Sequence, residues 1–319
     1  ASFQTAAKYS AERDTYQTEF RYPVVDIQPA TSYSVETNLF AGAKEWAAIN
    51  SYEKSHNIEK FVDSIDWGWF FFLTKPIFRV LFWLNSIIGN MGWSIVGLTL
   101  IIKTILFPLA YKSHVSMARM KELQPEMEKI KERAGDDRAS LQKEMMKLYK
   151  EKKVNPAAGC LPILLQIPIF FSLYKVIFVT LALRHEPWFG WIKDLSAPDP
   201  TSWLNLFGLL PWGTPDPFSI FALLSIGVFP ILMGVTMWLQ QKLNPAPTDA
   251  TQAMIFAWMP WIFMFMLGSF ASGLVIYWVA NNTITFIQQY TIMRTQGVKP
   301  DVLGNIFSNL KFVKKKENK

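Results

Sequence analysis

Five long apolar runs alternate with polar, charged segments along the chain. A run of about 18 or more apolar residues is long enough for a helix to cross the hydrocarbon core of a membrane. The last two runs are separated only by the sequence SFASG at 269–273, which predicts a transmembrane hairpin. The pattern predicts an all-α polytopic membrane protein with five transmembrane helices, at about 92–112, 158–183, 218–243, 254–271 and 273–294.

Residues 67–90 form a further apolar segment with a different pattern. It carries Lys75 and Arg79 one turn apart, with Pro76 between them, and it is rich in Trp and Phe. Aromatic and basic side chains on one amphipathic helix are typical of the membrane–water interface. We therefore predict an interfacial amphipathic helix over 67–90, with a sixth span as the alternative.

The first 66 residues are polar and contain few strand patterns. Residues 31–40 alternate like a half-buried strand, and residues 43–54 have a helical pattern. So few strands cannot build a β core alone. We expect 1–66 to be the C-terminal part of a β-rich extracytoplasmic domain.

Residues 113–153 carry apolar side chains at the spacing of packed helices. The sequence AGDD at 134–137 interrupts them with a helix stop followed by capping aspartates. This predicts a cytoplasmic helical hairpin whose charged outer faces are either a solvated surface or a docking device. The two stripes are Met120, Leu123, Met127 and Ile130, then Leu141, Met145 and Leu148.

The distribution of Lys and Arg predicts the orientation. Residues 112–153 hold 12 Lys/Arg against 8 Asp/Glu, whereas residues 1–66 hold 6 against 10. The basic tail at 299–319 ends in KFVKKKENK. Because Lys and Arg are enriched on the cytoplasmic side, the hairpin and the C-terminus are placed in the cytoplasm and the N-terminal region outside.

Composition excludes several classes of function. Half of the 319 residues are hydrophobic, the single cysteine is Cys160, and the three histidines lie far apart. No nucleophile motif, phosphate-binding loop or metal-ligand cluster is present in the sequence. We expect neither an enzyme nor a metal or other cofactor.

Lys103 is the only formal charge between Trp93 and Ala110. A charge at the centre of a span costs about 2.5–3.5 kcal/mol on insertion scales. Lys103 lies nine residues from Lys112, about 13 Å along a helix, and its side chain reaches only about 6 Å, too short to reach the interface. It must therefore point into the protein or be reached by water; a neutral, desolvated lysine is the alternative.

Other polar residues recur within the predicted spans. Thr99 lies one turn before Lys103, and Gln166 lies in the second span. Each amide taken alone is as well explained by an interhelical hydrogen bond, but together they predict a hydrophilic groove around Lys103. The last span contributes Tyr277, Asn281, Thr285 and Gln288 at helical spacing, widened by Trp278, Asn282 and Gln289.

Three stretches carry a resemblance to a known family. They are the span with Thr99, Lys103 and Pro108, the sequence NPAAGCLPILLQIPIFFSLY at 155–174, and SGLVIYWVANNTITFIQQ at 272–289. They resemble the YidC/Oxa family of membrane protein insertases, of the Gram-negative bacterial type, over about residues 60–298. The family's first span and most of its periplasmic domain would lie outside this sequence.

The resemblance implies a hydrophilic groove that is open to the cytoplasm and to lipid but closed on the outer side. Lys103 occupies the position of the central positive residue, where the family usually has arginine. Thr99 matches a functionally important position. Trp278 stands where a tyrosine is often found, so Tyr277 beside it would supply the hydroxyl.

The implied function is insertion and folding of inner-membrane proteins, alone or with a translocon. A small-solute transporter or channel and a structural assembly scaffold are the alternatives. The implied location is the bacterial inner membrane, and the implied partners are nascent inner-membrane proteins, a Sec-type translocon, the ribosome, a targeting-factor receptor and anionic lipids. Candidate docking residues are Lys121, Lys129, Lys131, Arg133, Lys314, Lys315 and Lys316.

Overall fold

The computed structural model describes residues 3–135, 137–155, 159, 161–179, 183–215, 219, 221, 224–244 and 250–298. The chain divides into two compact units, residues 1–43 and residues 44–319. The described part is mostly helical, as the sequence predicted, with a small β element in the first unit.

The first unit contains an antiparallel hairpin of β1 (Gln4–Ser10) and β2 (Thr15–Arg21). Cross-strand aromatic pairs support it: the rings of Tyr9 and Tyr16 lie 4.7 Å apart. The strand predicted at 31–40 is wrong, since these residues are exposed and without regular structure. Alternating polarity alone does not make a strand where no neighbouring strand supplies the hydrogen bonds.

The second unit is helical. A 3₁₀ turn at Phe61–Ser64 precedes its longer helices, and a second lies at Trp203–Gly208. The α-helices are α1 (Trp46–Ser55), α2 (Phe71–Ile88), α3 (Met91–Glu122), α4 (Gln124–Ala134), α5 (Arg138–Glu151), α6 (Leu161–Val179), α7 (Val228–Leu243), α8 (Ala250–Leu267) and α9 (Ser272–Thr295).

Helix α9 is the central helix of this unit. It packs against α3, α6 and α7, while α2 packs against α3 and α6, and α8 packs against α7. The first six residues of α9, Ser272 to Tyr277, are all buried. The apolar core therefore surrounds the beginning of α9, with Leu81, Ile95, Leu98, Leu173 and Ile177 among its fully buried side chains.

Helix α3 runs without a break through the predicted boundary between span and hairpin at 112–113. The hairpin itself is formed by α4 and α5, whose buried contacts include Met127, Met145 and Leu148. Asp137 caps α5, because its carboxylate accepts hydrogen bonds from the backbone N–H groups of Ala139 and Ser140. The predicted stripes thus form the interface between the two helices.

The third predicted span, 218–243, is interrupted at residues 225–227, which are not helical. Residues 221 and 224 are helical, helix α7 begins at Val228, and residues 218, 220, 222 and 223 lie outside the described part of the chain. The Asp199 carboxylate accepts a hydrogen bond from Phe229 N at 2.9 Å, and the Thr201 hydroxyl accepts one from Val228 N at 3.0 Å. These side chains accept hydrogen bonds from two free N–H groups in the first turn of α7, and so they fix the residue at which the helix begins.

The other spans differ from the structure by smaller amounts. Helix α9 matches the predicted 273–294 within one residue at each end. Helix α8 begins at Ala250 and ends at Leu267, four residues earlier at each end than the predicted 254–271. Helix α6 occupies 161–179 of the predicted 158–183, whose residues 158, 160 and 180–182 lie outside the described part of the chain.

The domain boundary predicted at residue 66 differs from the compact units, which divide at residue 43. The rings of Trp46 and Trp67 lie 5.5 and 5.4 Å from that of Phe78 on α2. Asp63 pairs with Lys75, and Asp66 pairs with Lys175. Residues 44–66 therefore pack on the helical unit through aromatic and ionic contacts.

Helices α2 and α3 are each long and apolar enough to cross a membrane by length and composition. Shorter apolar helices occupy 164–178 and 251–267. One face of α2 buries Ile77, Phe78 and Leu81, and its other side exposes Phe71, Phe72 and Trp83. The interfacial position of 67–90 stays a prediction, because length and composition permit both placements.

The α4–α5 contact gives a first testable prediction. Leu148→Ala should remove buried area from the hairpin at a cost of about 2 kcal/mol. Amide hydrogen exchange in α4 and α5 should then accelerate about 30-fold while exchange in α9 is unchanged. Met146→Ala is the control, because Met146 lies on an exposed face of the same helix. Equal acceleration by both variants would contradict the packing described here.

Candidate functional site

Helices α3 and α9 bring Lys103 and Thr285 together. Lys103 Nζ donates a hydrogen bond to Thr285 Oγ1 at 2.7 Å. The Thr285 hydroxyl lies 2.6 Å from the backbone oxygen of Asn281, to which it donates its own proton. Because its proton is used in that bond, the Thr285 hydroxyl accepts the hydrogen bond from Lys103 through a lone pair.

Lys103 is partly buried and lacks a carboxylate partner in the part of the chain that the structure describes. None of the ion pairs found between described side chains includes it. Thr99 lies one turn earlier, is buried, and donates to the backbone oxygen of Ile95 at 2.8 Å. The ammonium keeps donor positions beyond the one that Thr285 occupies.

Two asparagines of α9 lie beside this contact. Asn281 and Asn282 are both buried. Asn281 Nδ2 donates to Asn282 Oδ1, and Asn282 Nδ2 donates to the hydroxyl of Thr236 on α7, both at 3.5 Å. Asn281 Oδ1 is buried and accepts no hydrogen bond from the described residues. One strong acceptor, a turn away from Thr285 on α9, is thus left unsatisfied by the residues that the structure describes.

Gln166 and Tyr277 form a separate contact between α6 and α9. Gln166 Nε2 donates to Tyr277 Oη, and the Tyr277 side chain is buried. Trp278 packs edge-on against Phe170 with ring centres 5.0 Å apart, and also lies near Phe263. Tyr277 and Trp278 therefore pack against side chains of α6 and α8, about one turn before Asn281 on α9.

The two glutamines near the end of α9 differ in position. Gln289 is buried and donates to Asn244 Oδ1 at 2.9 Å. Gln288 is only partly buried, and the structure does not bring it to Lys103. The four-residue spacing from Tyr277 through Asn281 and Thr285 continues to 289, so Gln289 extends the buried polar face.

The structure adds polar residues that the sequence analysis did not single out. His114 is buried on α3, eleven residues after Lys103 and therefore on the same side of the helix, and its Nδ1 has no hydrogen-bond partner among the described residues. That spacing was a signal in the sequence. Thr236 and Asn244 carried no comparable signal, because their roles depend on how α7 meets α9.

The candidate docking residues on the hairpin are at its surface. Lys129, Lys131 and Arg133 are exposed on α4, and Arg133 lies 3.8 Å from Glu144. Lys121 is partly buried near the end of α3. Lys314, Lys315 and Lys316 lie outside the described residues.

The basic excess of the hairpin lies on α5. In α4 the three basic residues are balanced by Glu126, Glu128 and Glu132. Helix α5 with the two lysines that follow it has six basic residues against Glu144 and Glu151.

Among the described residues no group of three or more His, Cys, Asp or Glu side chains could hold a metal ion.

Two family models match the sequence. The model described as 60Kd inner membrane protein matches residues 83–299, and the model described as YidC periplasmic domain matches residues 1–80. The first match covers most of the helical unit, including α3 and α9.

Relatives and a solved structure agree with these matches. Proteins named membrane protein insertase YidC are 68% identical in Dinoroseobacter shibae and 69% identical in Roseobacter denitrificans, over 99% and 96% of this chain. The chain covers 52% and 50% of those relatives, so it spans about half their length.

A crystal structure titled as an active YidC insertase with its first transmembrane domain resolved aligns with a TM-score of 0.52 at 27% identity. The alignment covers 76% of this chain and 50% of that chain. The sequence and structure comparisons together show that the chain belongs to the bacterial YidC family of 60Kd inner membrane proteins.

Proposed function

We propose that this chain is the membrane-embedded part of an insertase. It receives segments of nascent inner-membrane proteins in a hydrophilic groove around Lys103. The observation that carries the proposal is the contact of Lys103 on α3 with α9, where it is bound to the Thr285 hydroxyl and, among the described residues, to no carboxylate. Relatives that share about two thirds of its residues are named membrane protein insertases.

The ammonium group supplies attraction without permanent neutralisation. A carboxylate on an adjacent helix would pair with Lys103 and remove its field. The Thr285 hydroxyl stabilises the ammonium through one hydrogen bond and leaves its charge uncompensated. An acidic segment of a substrate can therefore bind there transiently, and lysine serves as a point charge where arginine would offer a two-pronged contact.

The position of the polar groups also shortens the apolar distance that a substrate segment must cross. Gly273 and Asn281 are eight residues apart on α9, which corresponds to about 12 Å along the helix. The hydrocarbon core of a bilayer is about 30 Å thick. A segment held at Asn281 and Lys103 would then have about 12 Å left to cross to the beginning of α9, which is less than half of the thickness of the hydrocarbon core.

No bond is made or broken in this process. The substrate's own apolar helix passes into lipid along the faces of α7 and α9. Hydrophobic partitioning supplies the free energy, at about 25 cal/mol per Å² of apolar surface removed from water. The groove lowers the cost of moving the polar segment and need not supply the driving force.

We propose an orientation with the N-terminal region in the periplasm and the hairpin and C-terminus in the cytoplasm. It is supported by the excess of Lys and Arg in 112–153 and in the tail. The groove would then receive substrates from the cytoplasmic side. The Sec-type translocon, the ribosome, a targeting-factor receptor and anionic lipids are proposed partners on the same basis.

The charge of Lys103 can be tested with the pure protein in vesicles. We expect Lys103→Glu to impair insertion of a single-span substrate with an acidic translocated end, because the groove would repel it, while Lys103→Arg retains insertion. The measurement is protease protection of that end. Lys112→Glu is the control, since it makes the same charge change at an exposed position on the same helix.

Three outcomes would redirect the proposal. Equal insertion by all Lys103 variants would remove the groove from the mechanism. Equal insertion by Lys103→Ala and the unmodified chain would favour a structural assembly scaffold. Solute flux through vesicles that contain the unmodified chain would favour a transporter or channel.

The Thr285 hydroxyl can be tested separately. Thr285→Val removes the acceptor of Lys103 with little change in shape, and a hydrogen bond to a charged group contributes about 1.5–3 kcal/mol. We expect the variant to lose free energy of unfolding in mixed micelles, and to lose much less when Lys103→Met is already present. Thr283→Val is the control, because Thr283 is exposed and bonds only to its own helix. Additive losses would contradict a direct contact.

Docking by the hairpin can be tested with two matched pairs of charge reversals. Lys143→Glu with Lys150→Glu acts on α5, where basic residues are in excess, and Lys129→Glu with Lys131→Glu acts on balanced α4. We expect the α5 pair to weaken co-sedimentation with ribosomes more strongly, and increasingly so at low salt. Unchanged binding in both would end the proposal that the hairpin docks ribosomes.

A further inference from the structure

One loop before α7 has polar side chains inside and apolar side chains outside. We call residues 203–212 the aromatic lobe; it begins with the 3₁₀ turn Trp203–Gly208. Asn205 is only 8% exposed, and Ser202, just before the lobe, is fully buried. A loop that faces water normally has the opposite arrangement. Five large apolar side chains of the lobe are between 44% and 84% exposed: Trp203, Leu206, Phe207, Leu209 and Trp212.

The buried polar side chains hold the turn together from within. Asn205 Oδ1 accepts a hydrogen bond from Gly208 N at 3.0 Å, and Asn205 Nδ2 donates to Trp212 O at 3.4 Å. The Ser202 hydroxyl accepts a hydrogen bond from Leu204 N at 3.2 Å. The polar groups of the lobe are therefore directed to its interior and are satisfied there.

Backbone donors of the lobe are also paired within the protein. Trp203 N donates to Ile226 O at 3.0 Å, and Phe207 N donates to Ser202 O at 2.8 Å. A loop in water can leave such groups to the solvent. In an apolar medium, which offers no acceptors, irregular backbone has to be satisfied by the protein itself. The lobe meets this condition at these two donors.

The two tryptophans of the lobe use their indole N–H groups in the same way. Trp203 Nε1 donates to Leu224 O, and Trp212 Nε1 donates to Leu204 O at 3.1 Å. Both rings are nevertheless about half exposed. An amphipathic ring with its polar group satisfied and its apolar body exposed is typical of the boundary between lipid and water.

The backbone of the lobe adopts an unusual conformation that exposes two large side chains. Leu206 has a φ of 48° and Phe207 a φ of 59°, in the left-handed region that bulky L-residues rarely occupy. Such strain persists only where the surroundings offset it. Exposing Leu206 and Phe207 to water would add a second cost, whereas contact with an apolar medium would be favourable.

The lobe adjoins a membrane helix and carries no charge. Asp216 is the only charged residue between Asp199 and Lys242. The hydrogen bond of the lobe to residue 226 holds it at the end of the bundle where α7 begins. Helix α7 itself exposes Leu232 and Val235. The apolar surface of the lobe thus continues along the chain into that of α7.

We propose that the aromatic lobe is a lipid-binding element. Its exposed Trp, Leu and Phe side chains lie in the boundary between headgroups and acyl chains of the leaflet at which α7 begins. A protein partner fits less well, because protein interfaces carry a polar rim of hydrogen bonds, and the lobe has no charged side chain and pairs donors internally. The inference goes beyond the proposed function and does not depend on Lys103.

The test locates residue 209 relative to the lipid in the full chain. Leu209 is 84% exposed, so Leu209→Cys accepts a fluorescent label with little disturbance. Cys160→Ser first removes the single native cysteine. The labelled chain is placed in phosphatidylcholine bilayer discs that hold one copy each. Quenching is measured with acrylamide in the water, and separately with nitroxide-bearing lipid in the disc.

The same label at Met146→Cys is the control, because Met146 is an exposed apolar residue on the hairpin helix α5. Transfer of an amide from water to an apolar environment is unfavourable. We therefore expect acrylamide to quench the label at residue 209 about tenfold less than the label at residue 146. The nitroxide lipid should quench the label at residue 209 and leave that at residue 146 unchanged.

A second variant tests the exposed side chains of the turn. Leu206→Asn with Phe207→Asn removes apolar surface but keeps the turn, because Asn tolerates the left-handed conformation. We expect acrylamide quenching at residue 209 to rise toward the Met146 control, and nitroxide quenching to fall. Circular dichroism verifies that each labelled variant retains its helices.

The outcomes distinguish lipid from water and from a second chain. Strong acrylamide quenching without nitroxide quenching at residue 209 would place the lobe in water and overturn the proposal. Acrylamide access that is lost only in discs with two copies would also overturn it, since a second chain would then cover the lobe. Unchanged quenching in the double Asn variant would overturn the role of the turn. No substrate protein is present, so the proposed function and the lipid contact fail independently.

Discussion

A polar group that is removed from water needs a partner, and this requirement governs the helical unit. At the end where α3, α7 and α9 begin, the loop at residues 183–202 supplies acceptors such as Ala197 O and Asp199 Oδ2. These bonds determine where α7 and α9 start and hold α3 and α9 beside the same loop. The register that results brings Lys103 to Thr285, 13 residues after the buried beginning of α9.

The same requirement is met incompletely around Lys103. The Gln166–Tyr277 and Gln289–Asn244 contacts satisfy both partners across helices, as expected for interhelical hydrogen bonds. Lys103 has one hydroxyl acceptor, and Asn281 Oδ1 accepts nothing from the described residues. Unsatisfied buried groups lower stability unless something else binds them. This contrast divides the predicted polar set into residues that satisfy one another across helices and residues that do not, and the proposed function assigns contact with a substrate to the second group.

The sequence was sufficient for elements whose pattern is local. Helix α9 was predicted within one residue at each end, because both its apolar run and its polar spacing lie within the helix. The start of α7 was not predictable, since it depends on Asp199 and Gly227 meeting across 28 positions of the chain. The β1–β2 hairpin was missed because its strands are almost entirely exposed, so that neither carries the apolar face of a buried strand. In the site, the polar residues of α9 were found and those of α7 were not, and the difference between Gln288 and Gln289 depends on how Asn244, at the end of α7, meets α9.

A hydroxyl partner leaves Lys103 less stable than a carboxylate would, and in the proposed function this difference is what allows an acidic segment to bind. Placing the charge at mid-span costs about 2.5–3.5 kcal/mol, and the Thr285 hydrogen bond offsets about 1.5–3 kcal/mol of that. The remaining cost is at most about 2 kcal/mol, so the protonated lysine is tolerated without being neutralised. An acidic segment that enters adds a favourable interaction that the protein itself does not supply. Since that interaction ends when the segment moves on, a weakly stabilised ammonium suits transient contact better than a satisfied ion pair.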